Sequence, residues 1–251
     1  MAGTVWVSAV PLSINAKASR RLTPRGSMDE IIPHTSWMRD IPDDATLMML
    51  SIPGTHNSAS VDGPLGFAKT QDRGLFDQLA AGIRFLDIRL AHYQDSLCVH
   101  HDVVCMEKSY AEVLTTCSDF LNQHPSETIL LSVSDEDHVD STLGKFAPSQ
   151  VLCRLSSIGD TPHSGENTRS FEDTFRAITG EHLKDAPLFY NFTATAPGSD
   201  VRPHPAFTSE TTLREARGKI VLLRRFEGGQ DIGCYLLAGK PAIQKRCGAL
   251  L

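Results

Sequence analysis

Histidine, aspartate and arginine side chains in this sequence could together carry acid–base chemistry on an anionic group. His56 and the pair His100-His101 can exchange protons, because an unperturbed imidazole titrates at about pH 6.5. Asp87 can orient a neighbouring side chain, and Arg89 offers a planar donor for an anion. The residues form a site only if the fold brings them together.

Each of these residues lies at or near the end of a short apolar run. Asp135-Glu136 and Arg224-Arg225 follow two further runs in the same way. In a (β/α) barrel the carboxyl ends of all strands open on one face, where the active site is built. Taken singly, a polar residue often only marks the end of a strand, and an Asp–Arg pair is often a buried ion pair. Because polar residues recur at the ends of several runs, we expect them to share one rim, the face formed by the carboxyl ends of the strands.

Apolar runs and amphipathic segments alternate from residue 37 onward and predict an α/β fold. The runs that predict strands lie at residues 47–52, 83–90, 96–100, 128–134 and 219–224. Helical spacing occurs at residues 71–81, 110–121, 170–180 and 211–217, and Ser109 with Glu112 forms a capping box. This order predicts a parallel sheet covered by helices. A doubly wound sheet and a barrel both fit, and the shared rim favours a TIM-type (β/α) barrel.

Composition argues against several classes of protein. The length of 251 residues suits one large domain, and the formal net charge of −6 disfavours a nucleic-acid surface. No apolar run is long enough to span a membrane, and no basic region marks a signal peptide, so the compartment stays open. The six cysteines form no C-x-x-C pair, which disfavours a zinc site, and we expect buried free thiols.

Five blocks of sequence carry a family resemblance. They are residues 37–43 with 51–58 (WMRDIPD and SIPGTHNS), 78–89 (QLAAGIRFLDIR), 99–101 (VHH), 120–129 (FLNQHPSETI) and 217–225 (RGKIVLLRR). In this order they resemble the catalytic X region of bacterial-type phosphatidylinositol-specific phospholipases C. The resemblance implies a TIM-type barrel of the PLC-like phosphodiesterase kind.

The resemblance also implies roles for individual residues. It makes His56 the general base, His101 the general acid and Arg89 the phosphate-binding arginine, while Asp87 would hold Arg89 or a histidine in place. The implied substrate-binding residues are Arg225, Asn57, His100 and Glu136. The implied reaction cleaves phosphatidylinositol, or a glycosylated phosphatidylinositol at a membrane surface, to diacylglycerol and inositol 1,2-cyclic phosphate.

No metal or other cofactor is expected. Calcium-dependent relatives place an asparagine after the first histidine, as Asn57 stands here, and two acidic ligands on the second strand. Arg89 occupies the position of the second ligand, and its fixed guanidinium would repel a cation. Asn57 also replaces an aspartate that supports a histidine in bacterial-type enzymes, which predicts weakened activity.

The resemblance ends close to residue 226. Residues 1–33 are predicted as a flexible extension, residues 34–226 as the catalytic barrel portion and residues 227–251 as an atypical tail. Five or six predicted strands fall short of the roughly eight of a closed barrel, which predicts an incomplete barrel with an open edge. We also expect a weak catalyst whose base lacks its orienting carboxylate. A truncated gene model is the favoured explanation, beside strands supplied by a partner and a degenerate homologue.

Two other functions stay open. One is an inactive inositol-phospholipid-binding homologue that keeps Arg89 and Arg225 without a complete base. The other is a metal-dependent glycerophosphodiesterase on a related barrel, which would need an acidic cluster of which only Asp87 and Glu136 are apparent. Activity on phosphatidylinositol in the presence of EDTA separates the three.

Overall fold

The computed structural model describes residues 4–7, 34–61, 69–101, 104–136, 167–182, 188–192, 206–229 and 232–235. The strands are β1 Thr4–Val7, β2 Ile52–Thr55, β3 Phe85–Tyr93, β4 Ser96–His101, β5 Val104–Ser109, β6 Ile129–Asp135, β7 Ile220–Arg225 and β8 Cys234–Tyr235. The α-helices are α1 Leu75–Ala80, α2 Tyr110–Gln123, α3 Phe171–His182 and α4 Leu213–Ala216, and two 3₁₀ helices span His34–Asp40 and Leu47–Met49.

The strands form one sheet with a parallel centre. Its order is β1-β2-β3-β6-β7-β8, in which β2, β3, β6, β7 and β8 are parallel and β1 is antiparallel to β2. Within the described residues β1 and β8 end this path, and the sheet is open there. The chain therefore has the predicted α/β architecture, with an incomplete barrel over the part of the chain that the structure describes.

The direction of β4 differs from the prediction, which treated it as one of the parallel strands. β4 pairs antiparallel with β3, from Tyr93 with Ser96 to Leu90 with Val99. The reversal takes place at Gln94 and Asp95, whose φ angles of 50° and 53° are both positive. Such a two-residue turn makes a hairpin, whereas a parallel partner would need a crossover of roughly a dozen residues or more.

The predicted strand at residues 47–52 is instead a 3₁₀ helix at Leu47–Met49, followed by β2 from Ile52. Three strands lie where the sequence predicts no regular element. β5 is one of them and pairs antiparallel with β4. β1 falls within the predicted extension and pairs residue by residue with β2, from Thr4 with Thr55 to Val7 with Ile52. β8 falls within the predicted tail and continues the parallel sheet beside β7. The rest of the segments 1–33 and 227–251 lies almost wholly outside the described residues.

The two faces of the sheet are covered differently. On one face, Leu86, Leu131 and Leu222 pack with the buried stripe of α2 and with Phe175 of α3. The opposite face carries Val221 and Leu223, packed with residues of the two 3₁₀ helices and α4. Alternation of side chains along each strand produces this separation. Toward the carboxyl ends of the strands, the second face changes from apolar to polar.

Helix α2 forms as its sequence predicts. The Ser109 hydroxyl accepts a hydrogen bond from Glu112 N at 3.2 Å, and the Glu112 carboxylate accepts one from Ser109 N at 2.7 Å. The latter bond lowers the pKa of Glu112, because it favours the ionised carboxylate. None of the helices in the described part of the chain combines the length and the apolar composition of a membrane span.

The cysteines follow the prediction only in part. Cys117 is a free thiol, and complete burial raises the pKa of Cys117 to about 12, so this thiol stays protonated. Cys234 is disulfide-bonded, so the expectation of free thiols is wrong at this position. Spacing along the chain does not reveal which cysteines come within the roughly 6 Å between Cα atoms that a disulfide needs.

A buried ion pair lies at the amino-terminal ends of β3 and β6. Arg84 and Glu127 precede β3 and β6, have fully buried side chains and are joined by two hydrogen bonds of 3.0 and 2.8 Å. The remaining Arg84 donors bind the carbonyl oxygens of Leu79, Ile83 and Thr35. Burial lowers the pKa of Arg84, and the bonds to Glu127 oppose that shift.

We expect Glu127→Ala to lower the free energy of unfolding by about 3–5 kcal/mol, since it leaves the Arg84 guanidinium buried without a countercharge. Urea denaturation of the full chain measures the change. Asp40→Ala is the matched control, because Asp40 forms an exposed pair with Arg39 and should cost less than about 1 kcal/mol. Equal effects of the two variants would show that the buried pair contributes little.

Candidate active site

Strand register aligns polar residues in two rows at the carboxyl ends of the sheet. Asp87 pairs with Ser132, and one level further along Arg89 pairs with Ser134, which in turn pairs with Arg225. Residues paired across parallel strands project to the same face of a sheet. The rows therefore continue the face that is apolar lower down, as the interior of a barrel does at its active-site end.

The Asp87 carboxylate contacts three cationic or titratable side chains. One oxygen, Oδ2, lies 3.0 Å from His56 Nδ1 and 3.5 Å from Arg89 Nε. The other, Oδ1, accepts a hydrogen bond of 3.0 Å from Arg225. Asn57 N also donates to Oδ2, at 3.2 Å. The side chain of Asp87 is only 8% exposed, so these contacts are made largely out of water.

The contact with Asp87 determines which nitrogen of the His56 ring carries the proton. The Asp87 carboxylate can only accept, so in the neutral ring Nδ1 carries the proton and Nε2 is left as the acceptor. The side chain of His56 is 43% exposed, which leaves that acceptor accessible. The expectation that this histidine lacks an orienting carboxylate is therefore wrong. The β2–β3 register, with Gly54 beside Phe85, brings position 56 level with Asp87.

Arg89 lies between two carboxylates without being saturated by them. Its guanidinium is 3.5 Å from Asp87 and 3.6 Å from Glu136, and Glu136 also accepts a hydrogen bond from Ser134. Arg89 Nε is buried and has no hydrogen-bond partner. Because buried donors in folded proteins are nearly always bonded, this nitrogen is a candidate donor for an anionic group.

Of the two adjacent arginines on β7, only Arg225 faces the rim. Arg224 is buried on the other side of the strand, where it donates to the carbonyl oxygens of Ile232, Phe226 and Gly229. Arg225 keeps a partly exposed side chain beside Asp87. Alternation along the strand thus gives Arg224 a structural position and Arg225 a position in the candidate site.

Asn57 is the second rim residue with unsatisfied polar atoms. It is 2% exposed, has a φ of 45°, and neither its amide nitrogen nor its amide oxygen has a hydrogen-bond partner. A left-handed backbone is tolerated by asparagine better than by most residues. The buried, unpartnered amide adjoins His56 and would be satisfied by a bound polar group.

His100 and His101 occupy the last two positions of β4. His100 is fully buried and His101 is half-buried. Because β4 runs antiparallel to β3 and Val99 pairs with Leu90, the strand returns toward the level of Arg89 as it reaches these histidines. The hairpin therefore carries these histidines back along β3, in the opposite direction to that predicted.

Most of the predicted site residues contact one another directly. Direct contacts connect His56, Asp87, Arg89, Arg225 and Glu136, and a backbone bond adds Asn57. Within the described ranges no group of three or more His, Cys, Asp and Glu side chains is spaced to hold a metal ion. Sequence reasoning missed Ser134 as a partner of Glu136, although a spacing of two positions along a strand indicates that both side chains face the same side.

Comparison with known proteins finds one family model and several relatives that match this chain. Residues 44–145 match the family model described as phosphatidylinositol-specific phospholipase C, X domain. A 1-phosphatidylinositol phosphodiesterase of Staphylococcus aureus is 30% identical over 198 residues, which cover 77% of this chain and 51% of that protein. The corresponding protein of Listeria monocytogenes is 39% identical over 108 residues, which cover 41% and 33%. The chain spans about half the length of the first relative and a third of the second.

A solved structure with a similar fold comes from one of the same species, Staphylococcus aureus. A mutant of the phosphatidylinositol-specific phospholipase C from Staphylococcus aureus superposes with a TM-score of 0.59 at 28% identity. The match covers 80% of this chain and 55% of that one.

Proposed function

Because the chain belongs to the phosphatidylinositol-specific phospholipase C family through its X region, we propose that it is a phosphoric diester hydrolase acting on an inositol phospholipid. The observation that carries the proposal is the single carboxylate of Asp87 in contact with both His56 and Arg89. The proposal is supported because a candidate base then lies beside a candidate phosphate-binding group. We take residues 34–226 as the catalytic portion.

His56 acts as the general base in the proposed mechanism. Its Nε2 removes the proton from the inositol 2-hydroxyl, whose oxygen attacks the phosphorus of the same molecule. Asp87 accepts from Nδ1 and stabilises the imidazolium that forms. The 2-oxygen–phosphorus bond forms as the bond from phosphorus to the diacylglycerol oxygen breaks.

Arg89 and His101 complete the reaction. The buried Nε of Arg89 and its remaining donors stabilise the negative charge that grows on the phosphoryl oxygens. His101 gives its proton to the departing diacylglycerol oxygen. The products are diacylglycerol and inositol 1,2-cyclic phosphate, and the two histidines exchange protonation states in each turnover.

The headgroup would contact the rest of the rim. Arg225 presents a partly exposed guanidinium, and Asn57 an amide without a partner, to the hydroxyl groups of the inositol ring. His100 lies on β4, and Glu136 directly follows β6, where its backbone N donates to Leu90 O. The substrate is phosphatidylinositol at a membrane surface, and glycosylated phosphatidylinositol is the alternative headgroup to be compared with it.

We expect the full chain to cleave phosphatidylinositol in mixed vesicles with unchanged turnover in EDTA, because the guanidinium of Arg89 supplies the positive charge between Asp87 and Glu136. Release of inositol 1,2-cyclic phosphate, followed by ³¹P NMR, measures the reaction. Vesicles of phosphatidylcholine alone are the control. Loss of turnover in EDTA that calcium restores would contradict metal independence. Binding to the vesicles without any turnover would instead identify an inactive binding homologue.

A further inference from the structure

Hydrogen bonding to β3 continues past the end of β2 through a single residue, Ser58. The residue pairs of the two strands are Gly54 with Phe85 and Thr55 with Leu86, and the chain then turns away. Beyond this point Ser58 N donates to Asp87 O at 2.8 Å. In return, Asp87 N donates to the Ser58 hydroxyl, also at 2.8 Å. The serine thus satisfies both backbone polar groups of Asp87.

Ser58 is itself held by a buried network. Its hydroxyl donates to Thr55 O at 2.9 Å, which leaves the oxygen free to accept from Asp87. Gln78 of α1 donates to Ser58 O at 2.8 Å and lies within 2.7 Å of the Thr55 hydroxyl. Ser58 and Gln78 are both buried. The network therefore ties a helix, the end of β2 and the backbone of Asp87 together.

We propose that Ser58 is a positioning residue that holds Asp87 where its carboxylate contacts both His56 and Arg89, an inference that rests on the proposed function. The distances from Asp87 Oδ2 to these side chains, 3.0 and 3.5 Å, leave little room for displacement of the strand. A shift of about 1 Å in catalytic geometry can cost on the order of 100-fold in rate. Removal of the Ser58 hydroxyl would leave Asp87 N buried without its acceptor and free the strand to move.

Ser60 provides a matched control in the same turn. It is as buried as Ser58, but its hydroxyl has no hydrogen-bond partner. Ser58→Ala and Ser60→Ala therefore remove the same kind of atom from a buried position, and only Ser58→Ala loses the hydrogen bonds with Asp87 N and with Thr55. Ser58→Cys keeps a weak acceptor at the same place and serves as a second, milder variant.

We expect Ser58→Ala to lower kcat on phosphatidylinositol vesicles by roughly 10- to 100-fold with KM within about twofold. Ser60→Ala should match the unmodified chain, and Ser58→Cys should fall between the two. The ¹⁵N chemical shifts of the His56 imidazole should change from a single tautomer, protonated at Nδ1, to a mixture in Ser58→Ala only.

Equal kcat values for Ser58→Ala and Ser60→Ala would overturn the proposal, as would an unchanged His56 tautomer in Ser58→Ala. If Ser58→Ala does not fold, the same two comparisons apply to Ser58→Cys. An unmodified chain without turnover would count against the proposed function alone, because the tautomer measurement needs no substrate and still tests Ser58.

Discussion

Asp87→Asn is expected to lower kcat by about 10⁴-fold, the loss that follows when the carboxylate behind a catalytic histidine becomes an amide. Two effects combine. The amide NH₂ would face His56 Nδ1 and favour the tautomer that protonates Nε2, which removes the base. The neutral side chain would also leave Arg89 and Arg225 without their shared countercharge.

Steady-state turnover on phosphatidylinositol vesicles measures this loss, with circular dichroism to establish that the variant folds. Asp40→Asn is the control, because its carboxylate is exposed and pairs only with Arg39 among the described residues. A loss of less than tenfold in Asp87→Asn would mean that Asp87 serves the packing of the rim and not the chemistry.

His56→Ala and His101→Ala are each expected to lower kcat by roughly 10²- to 10⁴-fold, the usual contribution of a general base or a general acid. Their proposed roles differ, so their dependence on the leaving group should differ. A nitrophenyl ester of inositol phosphate leaves without needing a proton. It should therefore restore most of the turnover of His101→Ala and little of that of His56→Ala.

His124→Ala is the matched control for the two histidine variants. His124 caps the carboxyl end of α2 and contacts Ser36 and Phe120, remote from the rim, so its removal should leave turnover within about twofold. Equal rescue of His56→Ala and His101→Ala by the activated substrate would contradict the assignment of base and acid.

Local sequence determined much of this structure. The apolar runs at residues 83–90, 128–134 and 219–224 became β3, β6 and β7, because continuous apolar residues suit strands covered on both faces. The capping box of Ser109 and Glu112 and the apolar spacing behind it determined α2. Such features depend on residues within a few positions of one another, so a single sequence can indicate them.

The tertiary structure alone decided how the rim residues meet. The contact of His56 with Asp87 depends on the register of β2 against β3, and the direction of β4, which carries His101, depends on a hairpin at Gln94 and Asp95. The same pairing makes Ser58 a partner of Asp87, although 29 positions separate them. Local residue types leave these relations undetermined, because strand register and direction are settled by which distant segments bury their apolar faces together.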